Sequence, residues 1–560
     1  MRSRHAALLL TAGSFLSLPA LAIEVAAYKP DPALLPARLP VEAPLRVAEA
    51  LALDAVATLS PAREGAVSDL AALATWNANP RNPTRVGFAR ALANPLDLRY
   101  DAAGFAPRLG RRAGGGLLAR RSTGNWVWGT SVEVAEAKAL RLELAAVDLP
   151  AGTRLWVYNM GGEARAFDLR LLRSDGTLLS PTIHGDRIYL EVELPEGSTT
   201  DGQGFRIQRV LELVTSFGAD PSALLAPEAD DCLENGECFD SSDFPGIVQA
   251  RQGVFKYNFE DAGDLYTCSG ALIGDNDPTT LQPWLLTANH CVSSQASALS
   301  IDTYFFFRNT NCAGGSTTGT FGPLGADLVV TSEATDVTLV RAVDPGDVPA
   351  GAVYLGWTSV RPADGTILHR LSHPVRDLDN ASQAQSYSRH VLDETPEFVC
   401  GGVSTTNFLH SVNLEGTGIS SGSSGSPVMR ADGVIVGQLL GSCGAPPDGC
   451  GTDENILDGA FATSYPLLAP YLTPNGPICF RDADTACLLN GKFKVEVDWV
   501  TASSAGTGKV MAFNGERAES AESAFFWFFN STNFEMGVKM VDACVAPFNR
   551  YWVFVSGLTS

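Results

Sequence analysis

The first 231 residues contain no cysteine, and all eleven cysteines lie from Cys232 onward. This absence rules out a disulfide framework shared by the two parts of the chain and so divides the sequence at that point. Positive charge is scarce: 40 Lys and Arg face 62 Asp and Glu, a formal net charge of −22. Such a balance cannot neutralise phosphates, so nucleic acid is excluded as a partner. His5, His184, His369, His373 and His410 are scattered without the close spacing of a zinc site. No glycine-rich loop followed by Lys and Ser or Thr is present to hold a nucleotide phosphate. No metal and no cofactor are expected. Beyond the amino-terminal residues, no apolar run has the length of a membrane span.

With 45% hydrophobic and 18% charged residues the chain can bury sizeable cores, and its 560 residues suggest three or four domains. Arg2 and Arg4 precede an apolar run from Ala6 to Leu18, which ends at Pro19 and then Ala20-Leu21-Ala22. A basic start, a short hydrophobic stretch and a small-x-small site form a secretory signal over residues 1–22, cut after Ala22. Export to an oxidising compartment suits the cysteines. Cys443 and Cys450 therefore read as disulfide-forming cysteines rather than metal ligands, with their partners left open.

Residues 23 to about 100 are rich in Ala, Leu and Pro, with a helix expected around Pro44–Leu59. The run Leu109-Gly110-Arg111-Arg112-Ala113-Gly114-Gly115-Gly116 reads as a flexible break. From about residue 117, alternating segments such as Leu140-Arg141-Leu142-Glu143-Leu144 and Ile188-Tyr189-Leu190-Glu191-Val192 predict strands of a small β-sandwich ending near Val214. A link without periodicity follows, from Thr215 to Asp231. Short β-rich runs between glycine-rich turns then extend from Cys232 to about Pro474, with one helix expected near Tyr465–Leu472. This pattern suits an all-β double barrel. A small aromatic β module, 479–560, closes the sequence. It ends at Ser560 directly after a strand-like run and is expected to be truncated.

Three patterns carry chemistry. Leu285-Leu286-Thr287-Ala288 delivers His290 next to Cys291, and Cys268 lies 23 residues earlier. A Cys268–Cys291 disulfide would pin the turn that presents the imidazole as a general base. Asp336 heads the apolar strand Val337-Thr338-Leu339-Val340, where a buried carboxylate can orient a histidine tautomer. Ser421-Gly422-Ser423-Ser424-Gly425-Ser426-Pro427 permits a tight turn that exposes Ser424 and aims the Gly422 and Ser424 amides at one point, an oxyanion hole. Each pattern alone also has a structural reading: a histidine beside a disulfide, a strand cap, a linker. In the order His, Asp, Ser, separated by 46 and 88 residues, they suit a nucleophilic triad between two barrels.

Residues 232–474 resemble the trypsin-like serine proteases, and more closely their bacterial lysyl endopeptidase branch. The resemblance rests on Gly422-Ser423-Ser424-Gly425-Ser426-Pro427, on Cys232 and Cys238 six residues apart, and on Tyr304-Phe305-Phe306-Phe307 leading to Cys312. Gly356-Trp357, Leu371-Ser372-His373-Pro374, Gly437-Gln438-Leu439 and Gly459–Tyr465 add to it. It implies a mostly β, two-barrel protease domain acting on protein or peptide substrates, with His290, Asp336 and Ser424 as triad. It implies disulfides Cys268–Cys291 and Cys238–Cys312, with Cys232 reaching Cys443 or Cys450. It also implies that residues 23–231 are a pro-region, a partner to be removed. Ser423 stands where trypsin has an aspartate, so activation by a newly freed amino terminus is not expected. Ile456 occupies the position of the branch's pocket aspartate, with Asp453, Glu454 and Asp458 nearby. Asp453, Asp458 and His373 are the pocket candidates, with cleavage after Lys or Arg as the expected outcome. The competing expectation is a non-catalytic secreted binding protein that keeps a protease-like fold.

Overall fold

The computed structural model describes chiefly residues 23–30, 66–77, 82–99, most of 111–214, then 233–473 and 483–557 with short internal omissions, among them 376–383, 395–402, 415–417 and 444–454. The signal (1–22), nearly all of the helix expected around Pro44–Leu59, the link 215–231 and Cys232 lie outside the described residues. The protein is mostly β.

The amino-terminal part is a two-layer sandwich. Trp126–Glu133, Arg187–Leu194 and Arg154–Tyr158 pair antiparallel in one layer, and Ala139–Asp148, Gly204–Leu213 and Thr84–Arg99 in the other. Inward side chains at alternate positions, among them Trp128, Val132, Leu142, Leu144, Ile188, Leu190, Phe205 and Ile207, form its core. The sandwich draws on more chain than period-two alternation from residue 117 suggests. Thr84–Arg99 belongs to it, burying Val86, Phe88, Leu92, Leu96 and Leu98. Its composition reads as an Ala/Leu/Pro-rich lead, and its pairing comes from an edge supplied by distant strands.

That strand also joins the domains. One edge of Thr84–Arg99 pairs with Gly204–Leu213 and the other with Asp264–Ile273, so a single sheet runs from the sandwich into the next domain. Buried ion pairs cross the same boundary: Arg165 to Asp302 at 2.7 Å and Arg173 to Glu260 at 2.6 Å. Residues 23–28 make a second junction. Glu24–Val25 pairs with Trp357–Thr358, and Tyr28 exchanges backbone hydrogen bonds of 2.9 and 3.0 Å with Tyr354, their rings stacked at 5.0 Å. Gly356 allows this approach, because a Cβ there would stand 2.3 Å from the Val25 carbonyl oxygen.

From Val254 to Ala342, seven strands curl around Phe255, Tyr257, Phe259, Leu272, Leu285, Phe305 and Val340. A second barrel closes on itself through Ile435–Cys443, Pro427–Met429, Ile367–Ser372, Ser386–Leu392, Phe408–Asn413 and Asn455–Ala460, the last pairing back with the first. Between the barrels, Trp284, Leu286, Val337, Leu339, Trp357, Leu371, Met429 and Ile435 form a common core, which the helix Phe461–Leu472 covers with Phe461, Leu468 and Leu472. The carboxy-terminal module is a four-stranded sheet of Lys509–Val510, Ser523–Trp527, Met536–Ala543 and Arg550–Gly557, with short ladders beside it. Phe493–Val495 and Asp498–Val500 are two short strands at its start. No helix among the described residues is long and apolar enough to cross a membrane.

Candidate active site

The strand Trp284–Ala288 is wholly buried and ends at the turn that carries His290. A Cys268–Cys291 disulfide ties that turn to the neighbouring strand. The 3-10 turn Glu333–Thr335 leads into Asp336, which adopts left-handed backbone (φ 50°) before the strand Val337–Ala342 begins. Aspartate tolerates that conformation better than most side chains. It turns the carboxylate back toward the histidine loop: Oδ2 lies 2.8 Å from His290 Nδ1, and Oδ1 accepts the His290 backbone amide at 2.9 Å. The Asp336 carbonyl accepts the Asn289 amide and Gln438 Nε2, at 3.0 and 3.1 Å. Gln438 thus holds the acid's backbone from the second barrel.

Ser424 lies on the turn Ser421–Ser426. Gly422 and Gly425 there have φ of +96° and +78°, conformations that L side chains rarely adopt. The turn is wedged against the histidine strand, since a Cβ on Gly425 would stand 2.2 Å from Thr287 Oγ1 and 3.0 Å from the Ala288 amide. The Ser424 carbonyl accepts the Ser269 amide at 2.8 Å, and Gly425 N–H donates to the Leu439 carbonyl at 2.9 Å. Among the described residues, the amides of Gly422 and Ser424 donate to no group of the chain. Buried amides seldom stay unpaired, so two on one turn mark a place prepared for an acceptor.

The pocket candidates stand differently. Asp458 is wholly buried, with its carboxylate 2.6 Å from the Arg370 guanidinium. Burial raises its pKa and Arg370 opposes that rise. Arg370 engages Oδ1, while Oδ2 is buried with no hydrogen-bond partner among the described residues. His373 is also enclosed. Its amide donates to Ser269 Oγ at 2.9 Å and its ring stacks on Phe307. Burial, and then the neighbouring Lys256, push its pKa down to about 3. It packs beneath the Gly422 turn, where a Cβ on Gly422 would stand 3.0 Å from the His373 carbonyl oxygen. Asp453 and Glu454 lie outside the described residues.

Disulfide Cys238–Cys312 joins the start of the domain to the first barrel, and Cys443 is also disulfide-bonded. No cluster of three potential metal ligands occurs among the described residues. Sequence reading missed Arg370 and the support that Gln438 gives to Asp336. A lone arginine in a strand carries no signal of a partner 88 residues away.

Two family models match the chain: the lysyl endopeptidase C-terminal domain over residues 226–454 and the lysyl endopeptidase N-terminal domain over 120–213. Lysyl endopeptidase of Pseudomonas aeruginosa is 26% identical over 355 residues, which cover 60% of this chain and 72% of that protein. Among solved structures, the scabies mite inactivated protease paralogue S-I1 aligns with 40% of this chain and 96% of its own, at 15% identity and a TM-score of 0.29.

Proposed function

The chain belongs to the lysyl endopeptidase branch of the trypsin-like proteases, and on that premise we propose that it is a secreted serine endopeptidase with His290, Asp336 and Ser424 as its triad. The observation that carries this reading is the 2.8 Å contact of His290 Nδ1 with Asp336 Oδ2, set beside a serine turn with two unpaired amides. Asp336 holds the Nδ1–H tautomer, leaving Nε2 as the base. Ser424 Oγ attacks the peptide carbonyl while His290 Nε2 takes its proton. The Gly422 and Ser424 amides receive the developing oxyanion. His290 then protonates the leaving amine, and water hydrolyses the acyl-enzyme by the same route. A binding relic would have no use for prepared amides.

Residues 1–22 act in export, and 23–231 form a pro-region cleaved ahead of Cys232. Its shared sheet and buried ion pairs support a role as an intramolecular partner in folding. Labelling of the secreted protein with a fluorophosphonate probe tests the assignment. Mass mapping is expected to place the adduct on Ser424, and an unlabelled, well-folded protein would refute the nucleophile.

A further inference from the structure

We infer that the protease domain carries a docking groove for an extended peptide, that residues 23–28 are its built-in occupant, and that this strap holds the leader on the protease domain after the link between them is cut. The inference rests on the reading of 23–231 as a cleaved leader and adds a binding surface separate from the sandwich. The strap alternates along its length. Ile23, Val25 and Ala27 are partly buried against the common core between the barrels, while Glu24 and Ala26 are exposed. Hydrogen bonds fix it at both ends. Tyr28 and Tyr354 exchange amide hydrogen bonds of 2.9 and 3.0 Å, and the Ser359 amide donates to the Ile23 carbonyl at 2.8 Å. The Ile23 nitrogen donates to Ser359 Oγ at 2.9 Å. Between these ends, Glu24 meets Arg430 at 3.0 and 3.2 Å.

Two glycines make room for the occupant. A Cβ on Gly356 would stand 2.3 Å from the Val25 carbonyl oxygen, and one on Gly274 would stand 2.5 Å from Tyr28 Cε1. The strap's backbone and ring thus fill space that side chains would otherwise take. The Tyr28 hydroxyl is buried with no hydrogen-bond partner among the described residues, so the groove recognises the ring and not the phenol. A strand added to an open edge gains affinity from main-chain hydrogen bonds and selectivity from its alternate side chains. The groove also spans both barrels. Gly274 follows the first-barrel strand Asp264–Ile273, Tyr354–Ser359 lies between the barrels, and Arg430 follows the second-barrel strand Pro427–Met429. None of these residues takes part in the strand pairing or the ion pairs of the sandwich junction. Two separate surfaces on one leader raise its hold on the domain by about 10²–10⁴ over either alone.

The test uses the full secreted chain with Ser424→Ala, to prevent self-digestion, and with a recognition sequence for an added sequence-specific protease in the link 215–231. After that cut, hydrogen exchange read by mass spectrometry follows the amides of Tyr354 and Ser359, and size exclusion over time follows retention of the leader. Both amides are expected to stay protected and the leader to co-elute. Removing residues 23–28 is expected to expose both amides and to speed loss of the leader about tenfold or more. A synthetic peptide of residues 23–29, added to that deletion, should restore the protection. Gly356→Ala should mimic the deletion, whereas Tyr28→Phe should behave as the parent does. The deletion alters no residue of the protease domain, so it decides the matter even if Gly356→Ala fails to fold. Unprotected Tyr354 and Ser359 amides in the cut parent, an unchanged rate of leader loss on deletion, or a peptide that restores no protection would each overturn the inference. None of these readouts depends on catalysis. Failure of a fluorophosphonate to label Ser424 in the unsubstituted chain would sink the endopeptidase reading and leave the groove standing.

Discussion

The carboxylate of Asp458 lies 2.6 Å from the guanidinium of Arg370, and neither side chain reaches solvent. Each charge makes the other's burial tolerable, so removing one leaves the other uncompensated. Asp458→Ala is expected to destabilise the protease domain by about 3–5 kcal/mol, read by denaturant unfolding. If the double change Asp458→Ala with Arg370→Met is no better than the single one, the ion pair is not the cause.

Ser424→Ala is expected to lower kcat by on the order of 10⁶, as for a triad nucleophile elsewhere. Its unfolding transition should be unchanged, because Ser424 Oγ makes no hydrogen bond among the described residues. Full peptidase activity in the purified variant would contradict the assignment.

Replacing Cys268 and Cys291 together by serine removes a crosslink spanning 23 residues beside the histidine turn. A loss of about 2–4 kcal/mol is expected on general grounds. Because His290 sits on the clamped turn, kcat should fall by more than the unfolded fraction explains. Kinetics corrected for the labelled active-site concentration would check this, and unchanged corrected kcat would show that the disulfide does not position the base.

Arg165 meets the wholly buried Asp302 with two parallel hydrogen bonds of 2.7 Å across the domain boundary. Arg165→Ala removes the paired guanidinium and leaves the buried carboxylate with the Thr182 amide at 2.8 Å and the charge of Arg141. The sandwich should then separate from the protease domain at lower denaturant once the link between them is cut. Co-elution of the two fragments in size-exclusion runs with increasing urea would measure the effect, and identical midpoints for variant and parent would contradict it.

Three histidines in the second barrel and beside the oxyanion turn are held neutral. Burial brings His369 down to about 4, His373 to about 3 and His390 well below its ordinary value, with Arg389, Lys256 and Arg370 respectively adding to the effect. In the unfolded chain each would titrate near 6.5. Below that pH the unfolded state binds protons that the folded state refuses, so stability is complete above about 6.5 and falls as pH drops toward 4. Melting curves should show Tm declining across that window, and His373→Gln should flatten the decline.

Much of this was legible in the sequence because it is local. The period-two strands of the sandwich, the residue types His290, Asp336 and Ser424 in that order, and the glycines of the serine turn all depend on neighbours within a few positions. Their convergence, and what surrounds them, was decided by topology. The shared edge between Thr84–Arg99 and Asp264–Ile273 is made by backbone hydrogen bonds, which any strand can offer and no residue pattern announces. Whether an acid near the pocket is free or spent depends on which strand of a closed barrel faces it. Nothing near Asp458 in the sequence announces Arg370, 88 residues away, which the fold places opposite it. Similarly, Ile419, Leu439 and Ile456 carry no mutual signal along the chain. Only the folding of three segments around one serine turn brings them into a single cluster.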